Sequence, residues 1–261
     1  MTNRRNFIKA TGLGLAAVSV PVLASSSASD SETSKSDFGF KLGVASYSFR
    51  EFTQEQAIDM TLRCGVNQIT FKSMHLPLDS DKETIKKTVA LCKQKGVNLY
   101  GGGVIYMKSK AEVDQAFDYA KAAEMKMIVG VPNHDLLDYV EGKVKEYDIM
   151  LAIHNHGPGD LVYPSAESAY VLIKNRDPEQ DLKDFFDRVI DVHIKDVTAA
   201  NAEGTTCIIG RGVINFPSFM KSVVKLGYKG TLSLEYEAEG KDPQPGMMES
   251  FGFVKGVLAM M

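Results

Sequence analysis

The hydrophobic positions of the chain follow two patterns that alternate from residue 41 onward. Short apolar runs rich in Val, Ile and Leu are separated by longer stretches whose apolar residues recur every three or four positions. The short runs are typical of buried strands and the longer stretches of amphipathic helices. Strands are predicted at residues 41–48, 66–72, 97–104, 125–131, 149–155, 189–195 and 231–236.

Capping signals place helices between these strands. Thr53 with Gln56 forms a capping box before the first helix, and Gly65 follows that helix. Ser80 with Glu83 predicts the start of the second helix in the same way. Strands that alternate with helices form a parallel sheet covered by helices.

The placement of polar residues favours a barrel over an open sheet. No glycine-rich phosphate loop follows the first strand, and the glycines at 101–103 do not open a helix as a dinucleotide-binding motif does. Polar residues instead recur at the carboxyl ends of the strands, which converge on one mouth in a (β/α)₈ barrel. The predicted fold class is therefore α/β, a TIM (β/α)₈-type barrel.

This barrel is predicted to be incomplete around strand six. Residues 165–174 and 179–186 both have helical patterns and are joined through 176–178, so no sixth strand is visible between strands five and seven. The join is interpreted as an internal deletion; alternatively, residues 169–174 are recruited as a strand. The part of the chain after the predicted signal described below is also shorter than the ~250 residues of a typical eight-unit barrel.

The amino terminus has the layout of an export signal. Residues 1–28 contain Arg4, Arg5 and Lys9 and no acidic residue, and an apolar stretch follows from residue 10 to residue 23. The paired arginines resemble a twin-arginine signal, which predicts a periplasmic protein exported in folded form. The alternative is an uncleaved anchor, although the stretch is shorter than the ~20 residues that span a bilayer. Residues 29–38 are predicted to be a Ser-rich linker, and residues 39–261 the barrel domain.

Charge and cysteine content exclude several classes of protein. The formal charge is −3, and removing the three cations of residues 1–28 leaves 27 − 33 = −6, which argues against a nucleic-acid groove. The three cysteines contain no CxxC pair, so neither a disulfide framework nor a Cys-based zinc site is predicted.

Every histidine of the chain lies at or just beyond a predicted strand end. They are His75, His134, His154, His156 and His193. For His75 and His134 the alternative is a helix-entry or surface position, and for His193 a hydrogen-bonded core position. Because strand ends meet at the barrel mouth, His75, Asn133 and Asn155 are predicted to contact a substrate there.

The last two predicted strands carry the strongest candidate chemistry. Strand alternation puts His193 and Lys195 on one face, and Glu235 and Glu237 on one face of the final strand. Glu235 follows an apolar run and is expected to be the inner carboxylate, whereas Glu237 is expected at the solvated strand exit. Imidazole and carboxylate ligands from separate strands suit a divalent transition metal.

Three segments of the chain resemble the xylose isomerase-like TIM barrels, the sugar phosphate isomerase/epimerase superfamily. They are residues 192–196 (VHIKD), 210–217 (GRGVINFP) and 227–236, and the resemblance covers about residues 40–258. It implies a divalent metal (Mn, Mg, Co or Zn) held by Glu, Asp, His and Glu from strands five to eight. It assigns His193 and Glu235 as metal ligands and places Lys195 and Arg211 beside the substrate.

Two departures from the family pattern change what the resemblance implies. His154 stands where the family has the fifth-strand Glu, so an imidazole would replace that ligand and the second carboxylate base is lost. The expected sixth-strand Asp has no match. The predicted metal ligands are therefore His154, His193 and Glu235, and the predicted catalytic residues are Glu235 or His156 as the base and Lys195.

The favoured hypothesis is a metal-dependent isomerase or epimerase that removes a proton next to the carbonyl of a small sugar or keto-sugar. A 3-keto-glycoside lyase would begin with the same step. A non-catalytic sugar-binding barrel would account for the reduced ligand set, and an endonuclease-like DNA-repair barrel is disfavoured by the negative charge. The predicted partner is a small-molecule sugar or glycoside, with no nucleic acid and no stable membrane span after signal cleavage; the sequence does not set the oligomeric state.

Overall fold

A computed structural model gives the positions of most residues of the predicted barrel domain. The described residues are 38–155, 161–163, 179, 183–184, 186–201 and 203–261. The predicted export signal, nearly all of the linker and His156 lie outside them. So do most residues of the two helices predicted at 165–174 and 179–186.

The strands of the domain alternate with helices along the chain. They are β1 (Lys41–Ala45), β2 (Gln68–Phe71), β3 (Asn98–Met107), β4 (Met127–Pro132), β5 (Met150–Ile153), β6 (Asp191–Ile194), β7 (Asp196–Val197), β8 (Thr206–Cys207) and β9 (Thr231–Leu234). Each predicted strand is confirmed, with ends that differ by a few residues. The short antiparallel pair β7–β8 was not predicted.

Six α-helices accompany these strands among the described residues. They are α1 (Gln54–Arg63), α2 (Lys82–Lys95), α3 (Lys110–Ala122), α4 (Leu137–Tyr147), α5 (Phe216–Leu226) and α6 (Gln244–Ala259). Within the part of the chain that the structure describes, no helix combines the length and the apolar character needed to cross a bilayer.

The first two helix starts show how well the capping signals predict. The capping box of Thr53 and Gln56 is confirmed, since each side chain accepts a hydrogen bond from the backbone N–H of the other. The start predicted at Ser80 is wrong by one residue. Asp81 caps α2 instead, because its carboxylate accepts from the backbone N–H of Thr84 at 2.7 Å.

Seven of the strands form one parallel sheet. Their order is β5-β4-β3-β2-β1-β9-β6, so β5 and β6 are its two edges. The described residues between these edge strands contain no further strand. The rings of His154, just after β5, and His193, within β6, lie 5.1 Å apart between centroids, so the sheet curls until its edges approach each other. Among the described residues, the fold is therefore a TIM-type α/β barrel that lacks a strand at the predicted position of strand six.

The two faces of the sheet differ sharply in polarity. Leu232 and Leu234 of β9 face outward and belong to a large apolar cluster that includes helices α5 and α6. Ser233, between them, faces the interior, where its hydroxyl pairs with the hydroxyl of Tyr100 from β3. Bulky branched side chains usually fill a TIM-barrel interior. Here hydrogen-bonding groups lie directly beneath the barrel mouth.

Candidate functional site

The pairing of β6 with β9 assembles the candidate site. The two strands are parallel neighbours, with His193 opposite Ser233. Residues just beyond their carboxyl ends therefore emerge side by side at the barrel mouth. We call His193, Lys195, Glu235 and Glu237 the strand-end cluster. Sequence reasoning identified all four positions, three of them as site residues.

Contacts within the strand-end cluster are continuous. Nδ1 of His193 lies 3.5 Å from Oε2 of Glu235. Nζ of Lys195 lies 3.5 Å from the same oxygen and donates a hydrogen bond to Oε1 of Glu237 at 2.7 Å. Glu237 is therefore more than a solvated strand exit: it holds Lys195 against Glu235. Two cations and two carboxylates thus share one small region.

Burial and charge oppose each other at Glu235, whose side chain is only 9% exposed. Burial alone would raise the pKa of Glu235, but the contact with His193 and the charges of His193, Lys195 and His154 outweigh it and hold the pKa well below its ordinary value. At His193 burial would lower the pKa, but Glu235 and Asp191 raise it above its ordinary value. The cluster therefore favours a carboxylate at Glu235 and a proton on His193 when no ligand is bound.

The imidazole of His193 is buried without hydrogen bonds. Nδ1 faces Glu235, and Nε2 lies 3.5 Å from Oδ2 of Asp191, a carboxylate at the start of β6 that is 4% exposed. Neither nitrogen makes a hydrogen bond with good geometry. Buried polar groups without partners are rare, and they often mark a place where a ligand or ion binds.

The donor set only partly fits a divalent metal. Two orphaned nitrogens on His193 and the adjacent carboxylate of Glu235 have the right chemistry. His154 is the neighbouring imidazole. Among the described residues, however, no group of three or more His, Cys, Asp or Glu side chains is arranged to hold a metal ion. An ion bound at His193 and Glu235 would need its remaining ligands from substrate, water, side-chain movement or the rest of the chain.

His75 has a structural environment. The residue is 3% exposed, and its Nδ1 pairs with the Ser46 hydroxyl at 2.9 Å. Its Nε2 lies 3.2 Å from the backbone carbonyls of both Phe49 and Phe52. The ring thus fastens the segment after β1, and a substrate contact by His75 would have to break these bonds.

The other residues predicted to bind substrate are spread around the mouth. His134, which was not among the predicted site residues, is exposed and pairs with the carbonyl of Val162 at 3.0 Å. Asn133 is half-buried after β4, and Asn155 is exposed after β5. Arg211 forms a bidentate ion pair with Glu249 of α6, at 2.7 and 2.8 Å, which directs its guanidinium toward that helix.

Sequence reasoning missed Asp196, which organises the loop after β6. This fully buried carboxylate accepts backbone hydrogen bonds at 2.9–3.2 Å, from the N–H groups of Val197, Gly210, Gly212 and Ile214. A side chain at Gly212 would place its Cβ 2.2 Å from Oδ1 of Asp196, so the glycine is required for this close approach. The signal in the sequence was the single Asp directly after Lys195, followed by the Gly-Arg-Gly triplet.

Sequence reasoning also missed Arg50. This residue follows β1, which lies on the other side of β9 from β6. Its guanidinium donates to the backbone carbonyl of Glu237 at 2.9 Å and lies over the ring of Tyr47. The ammonium of Lys72, at the end of β2, lies 4.3 Å from the centroid of the same ring. These contacts tie the segments after β1 and β2 to the strand-end cluster.

Comparison with known proteins supports the barrel fold. The Xylose isomerase-like TIM barrel family matches residues 168–257, the part that contains β6, β9 and the whole strand-end cluster. No curated protein sequence matches the chain.

Solved structures resemble the chain over most of its length. A protein from Parabacteroides distasonis is 20% identical and superposes with a TM-score of 0.65, covering 84% of this chain and 99% of its own. D-Psicose 3-epimerase from Clostridium cellulolyticum H10 is 12% identical, with a TM-score of 0.66 and coverages of 84% and 99%. The 3-keto-D-glucoside 4-epimerase from E. coli is 14% identical, with a TM-score of 0.64 and coverages of 83% and 99%. At these identities the likeness shows the fold.

Proposed function

We propose that this protein is an epimerase or isomerase of a small keto-sugar or keto-glycoside, and that it uses a divalent metal. The observation that carries the proposal is the strand-end cluster: a buried, ionised Glu235 beside a buried His193 whose ring nitrogens have no hydrogen-bond partner. The cluster lies at the carboxyl ends of barrel strands, where the active sites of TIM barrels are found. Structural neighbours whose names describe sugar epimerases support the same reaction class.

Each residue of the proposed site has its own role in the reaction. Glu235 accepts the proton from the carbon next to the substrate carbonyl, since it is ionised and at the mouth. Lys195 contacts that carboxylate and is 42% exposed, so its ammonium can stabilise the negative charge that develops on the substrate oxygen. Glu237 positions Lys195 through the 2.7 Å hydrogen bond. His156 is the alternative base and lies outside the described residues.

The proposed metal would be held by His193 and Glu235, with His154 nearby. When bound, such an ion supplies Lewis-acid polarisation of the carbonyl. His193 then contributes an imidazole nitrogen and Glu235 an oxygen. Because Glu235 would both bind the ion and move the proton, its low pKa makes it a weak base that depends on close positioning of the substrate.

A non-catalytic sugar-binding barrel is the second candidate. It is favoured by one observation, that the described residues contain no complete group of metal ligands. In that case the protein would bind a sugar at the mouth and show no turnover. Because the amino terminus is predicted to direct export, we propose a non-phosphorylated sugar or glycoside as the ligand in either case.

Solvent exchange tests the proposed reaction. The purified protein would be incubated in D₂O with ketohexoses and 3-keto-glycosides, with Mn²⁺, Mg²⁺, Co²⁺ or Zn²⁺ added singly, and followed by NMR. We expect epimerisation or isomerisation with deuterium at the reacting carbon. Glu235→Gln should abolish it, whereas Glu83→Gln, an exposed carboxylate on α2, should not. Sugar binding without turnover would establish the second candidate, and turnover without deuterium would contradict proton exchange at Glu235.

A further inference from the structure

Two cations at the barrel mouth share one aromatic ring. Cζ of Arg50, after β1, lies 5.2 Å from the centroid of the Tyr47 ring, and Nζ of Lys72, after β2, lies 4.3 Å from it. We call these three residues the cationic cluster. In the described part of the chain, neither cation forms an ion pair with a carboxylate. Two positive charges therefore lie close together at the mouth without a compensating negative charge.

Much of the hydrogen-bonding capacity of the cationic cluster is unused. The guanidinium of Arg50 donates to the backbone carbonyls of Tyr47 at 3.5 Å and Glu237 at 2.9 Å, yet a guanidinium has five N–H groups. The ammonium of Lys72 makes no hydrogen bond to any described residue and contacts only the ring. All three side chains of the cluster are half-buried. Donors therefore remain for a ligand that enters the mouth.

Two buried serines fix the position of the cationic cluster. The hydroxyl of Ser46 accepts from the backbone N–H of Lys72 at 2.9 Å. The hydroxyl of Ser48 accepts from the backbone N–H of Tyr236 at 2.8 Å. The segment that carries Tyr47 is thus fastened to the end of β2 on one side and to the segment after β9 on the other. Groups that are held in place before binding lose less entropy when a ligand arrives.

The cationic cluster adjoins the proposed reaction centre. Glu237 accepts from Arg50 through its backbone carbonyl and from Lys195 through its side chain, at 2.9 and 2.7 Å. Lys195 in turn lies 3.5 Å from the proposed base, Glu235. The charges of the strand-end cluster face one another, whereas those of Arg50 and Lys72 do not face a described carboxylate. One small sugar could therefore present its reacting carbon to Glu235 and another group to the cationic cluster.

We propose that Arg50 and Lys72, over the ring of Tyr47, form a subsite for an anionic group of the substrate, which makes the substrate an acidic sugar or its glycoside. Carboxylates accept strong charge-assisted hydrogen bonds from guanidinium and ammonium groups. Because the proposed ligand is not phosphorylated, a sugar carboxylate is the expected anion. The inference deepens the proposed function and rests on it for the reaction, whereas binding of the anion is measurable without turnover.

Calorimetric titration of the purified protein at low salt tests the subsite. The probes are methyl β-D-glucuronide and methyl β-D-glucoside, which differ only in a carboxylate in place of a hydroxymethyl group, and glucose 6-phosphate. We expect the glucuronide to bind at least about 10-fold more tightly than the glucoside, with a preference that weakens as salt is added. Lys72→Gln and Arg50→Gln should each reduce the preference several-fold. Lys87→Gln, at an exposed lysine on α2, should leave it unchanged.

The outcomes separate the subsite from the reaction. Equal affinity for glucuronide and glucoside, binding of none of the probes, or a preference that survives in both variants would overturn the inference. Tightest binding of glucose 6-phosphate, lost in Lys72→Gln, would support the anionic subsite and assign it to a phosphate. A glucuronide preference in a protein that never exchanges deuterium into a sugar would support the subsite and contradict the proposed reaction. Should Arg50→Gln not fold, Lys72→Gln decides.

Discussion

His75 and His193 are both buried histidines near strand ends of the same barrel, yet their surroundings are opposite. The ring of His75 uses both nitrogens, one on the Ser46 hydroxyl and the other on backbone carbonyls. The ring of His193 lies between two carboxylates and makes no hydrogen bond of good geometry. The two histidines therefore differ in the hydrogen bonding of their ring nitrogens and not in burial alone.

The pKa values of the two imidazoles shift in opposite directions. Burial lowers the pKa of His75, and its carbonyl partners only partly compensate. At His193 burial acts in the same direction, but Glu235 and Asp191 reverse it and the pKa rises. Burial thus favours the neutral form of His75, whereas the two carboxylates favour the charged form of His193.

The largest expected effect is on turnover when His193 is changed. His193→Gln should lower kcat/KM for any sugar that the wild type converts by at least about 100-fold, because the proposed metal and Glu235 lose their partner. Stability should also fall, by about 3 kcal/mol, because the buried carboxylates of Glu235 and Asp191 lose the charge that compensates them. Activity assays and denaturant unfolding measure the two quantities. His134→Gln, at an exposed histidine, is the control, and retained activity in His193→Gln would break the comparison.

At His75 a substitution should lower stability without affecting turnover. His75→Ala removes a buried ring together with its contacts to the Ser46 hydroxyl and to two backbone carbonyls, so we expect the free energy of unfolding to fall by about 2–4 kcal/mol. The folded fraction should keep its kcat. Urea denaturation and active-site-normalised rates check this, with His134→Ala as the matched control. A stable His75→Ala protein without activity would instead place His75 in the site.

Among the carboxylates, Asp196 corresponds to His75, because its oxygens accept hydrogen bonds from backbone N–H groups. Asp196→Asn replaces one acceptor oxygen by a donor that faces the N–H groups of Gly210 and Gly212, and should cost about 2 kcal/mol. The loss should be local. Hydrogen exchange at residues 210–214 should accelerate, whereas exchange in β1–β4 should not change. Uniform acceleration throughout the barrel would contradict a loop-anchoring role.

The smallest effect concerns the pH dependence of stability. Because the pKa of His75 in the folded protein is below its ordinary value, the unfolded chain binds a proton more readily at mildly acidic pH. The His75 contribution should therefore weaken as pH falls through about 6.5. Unfolding free energies of wild type and His75→Ala, compared between pH 8 and pH 5.5, should converge as pH falls. A difference that grows toward acidic pH would show that His75 is charged in the folded state.

Local sequence patterns predicted the strands and helices well, because these elements depend mainly on residues that are close together along the chain. The apolar runs identify each strand of the seven-stranded sheet. The lack of a clear run between residues 155 and 189 agrees with β5 and β6 being the edge strands of the sheet that the described residues form. The start of α2 was displaced because Ser80 and Asp81 are both good caps, and the backbone selects one of them. Periodicity has no signal for the two-residue strands β7 and β8.

The site was only partly predictable, because its decisive contacts are not local. The sequence identifies His193, Lys195 and Glu235 as polar residues that follow apolar runs. It contains nothing to show that Tyr100 and Asp191, 91 positions apart, share a hydrogen bond inside the barrel. Nor does the sequence show that both ring nitrogens of His75 have hydrogen-bond partners while those of His193 have none. Arg211 follows a promising motif, yet its guanidinium pairs with Glu249 on a helix.

The central claim is that the strand-end cluster is a metal-assisted centre with His193 as a ligand. Equilibrium dialysis of the purified protein against Mn²⁺, with His193→Gln and His75→Ala measured in parallel, tests it most directly. We expect about one ion per chain for the wild type and for folded His75→Ala, and at least a 100-fold weaker affinity for His193→Gln. A wild-type protein that binds no ion, or a His193→Gln protein that binds it equally well, would contradict the claim.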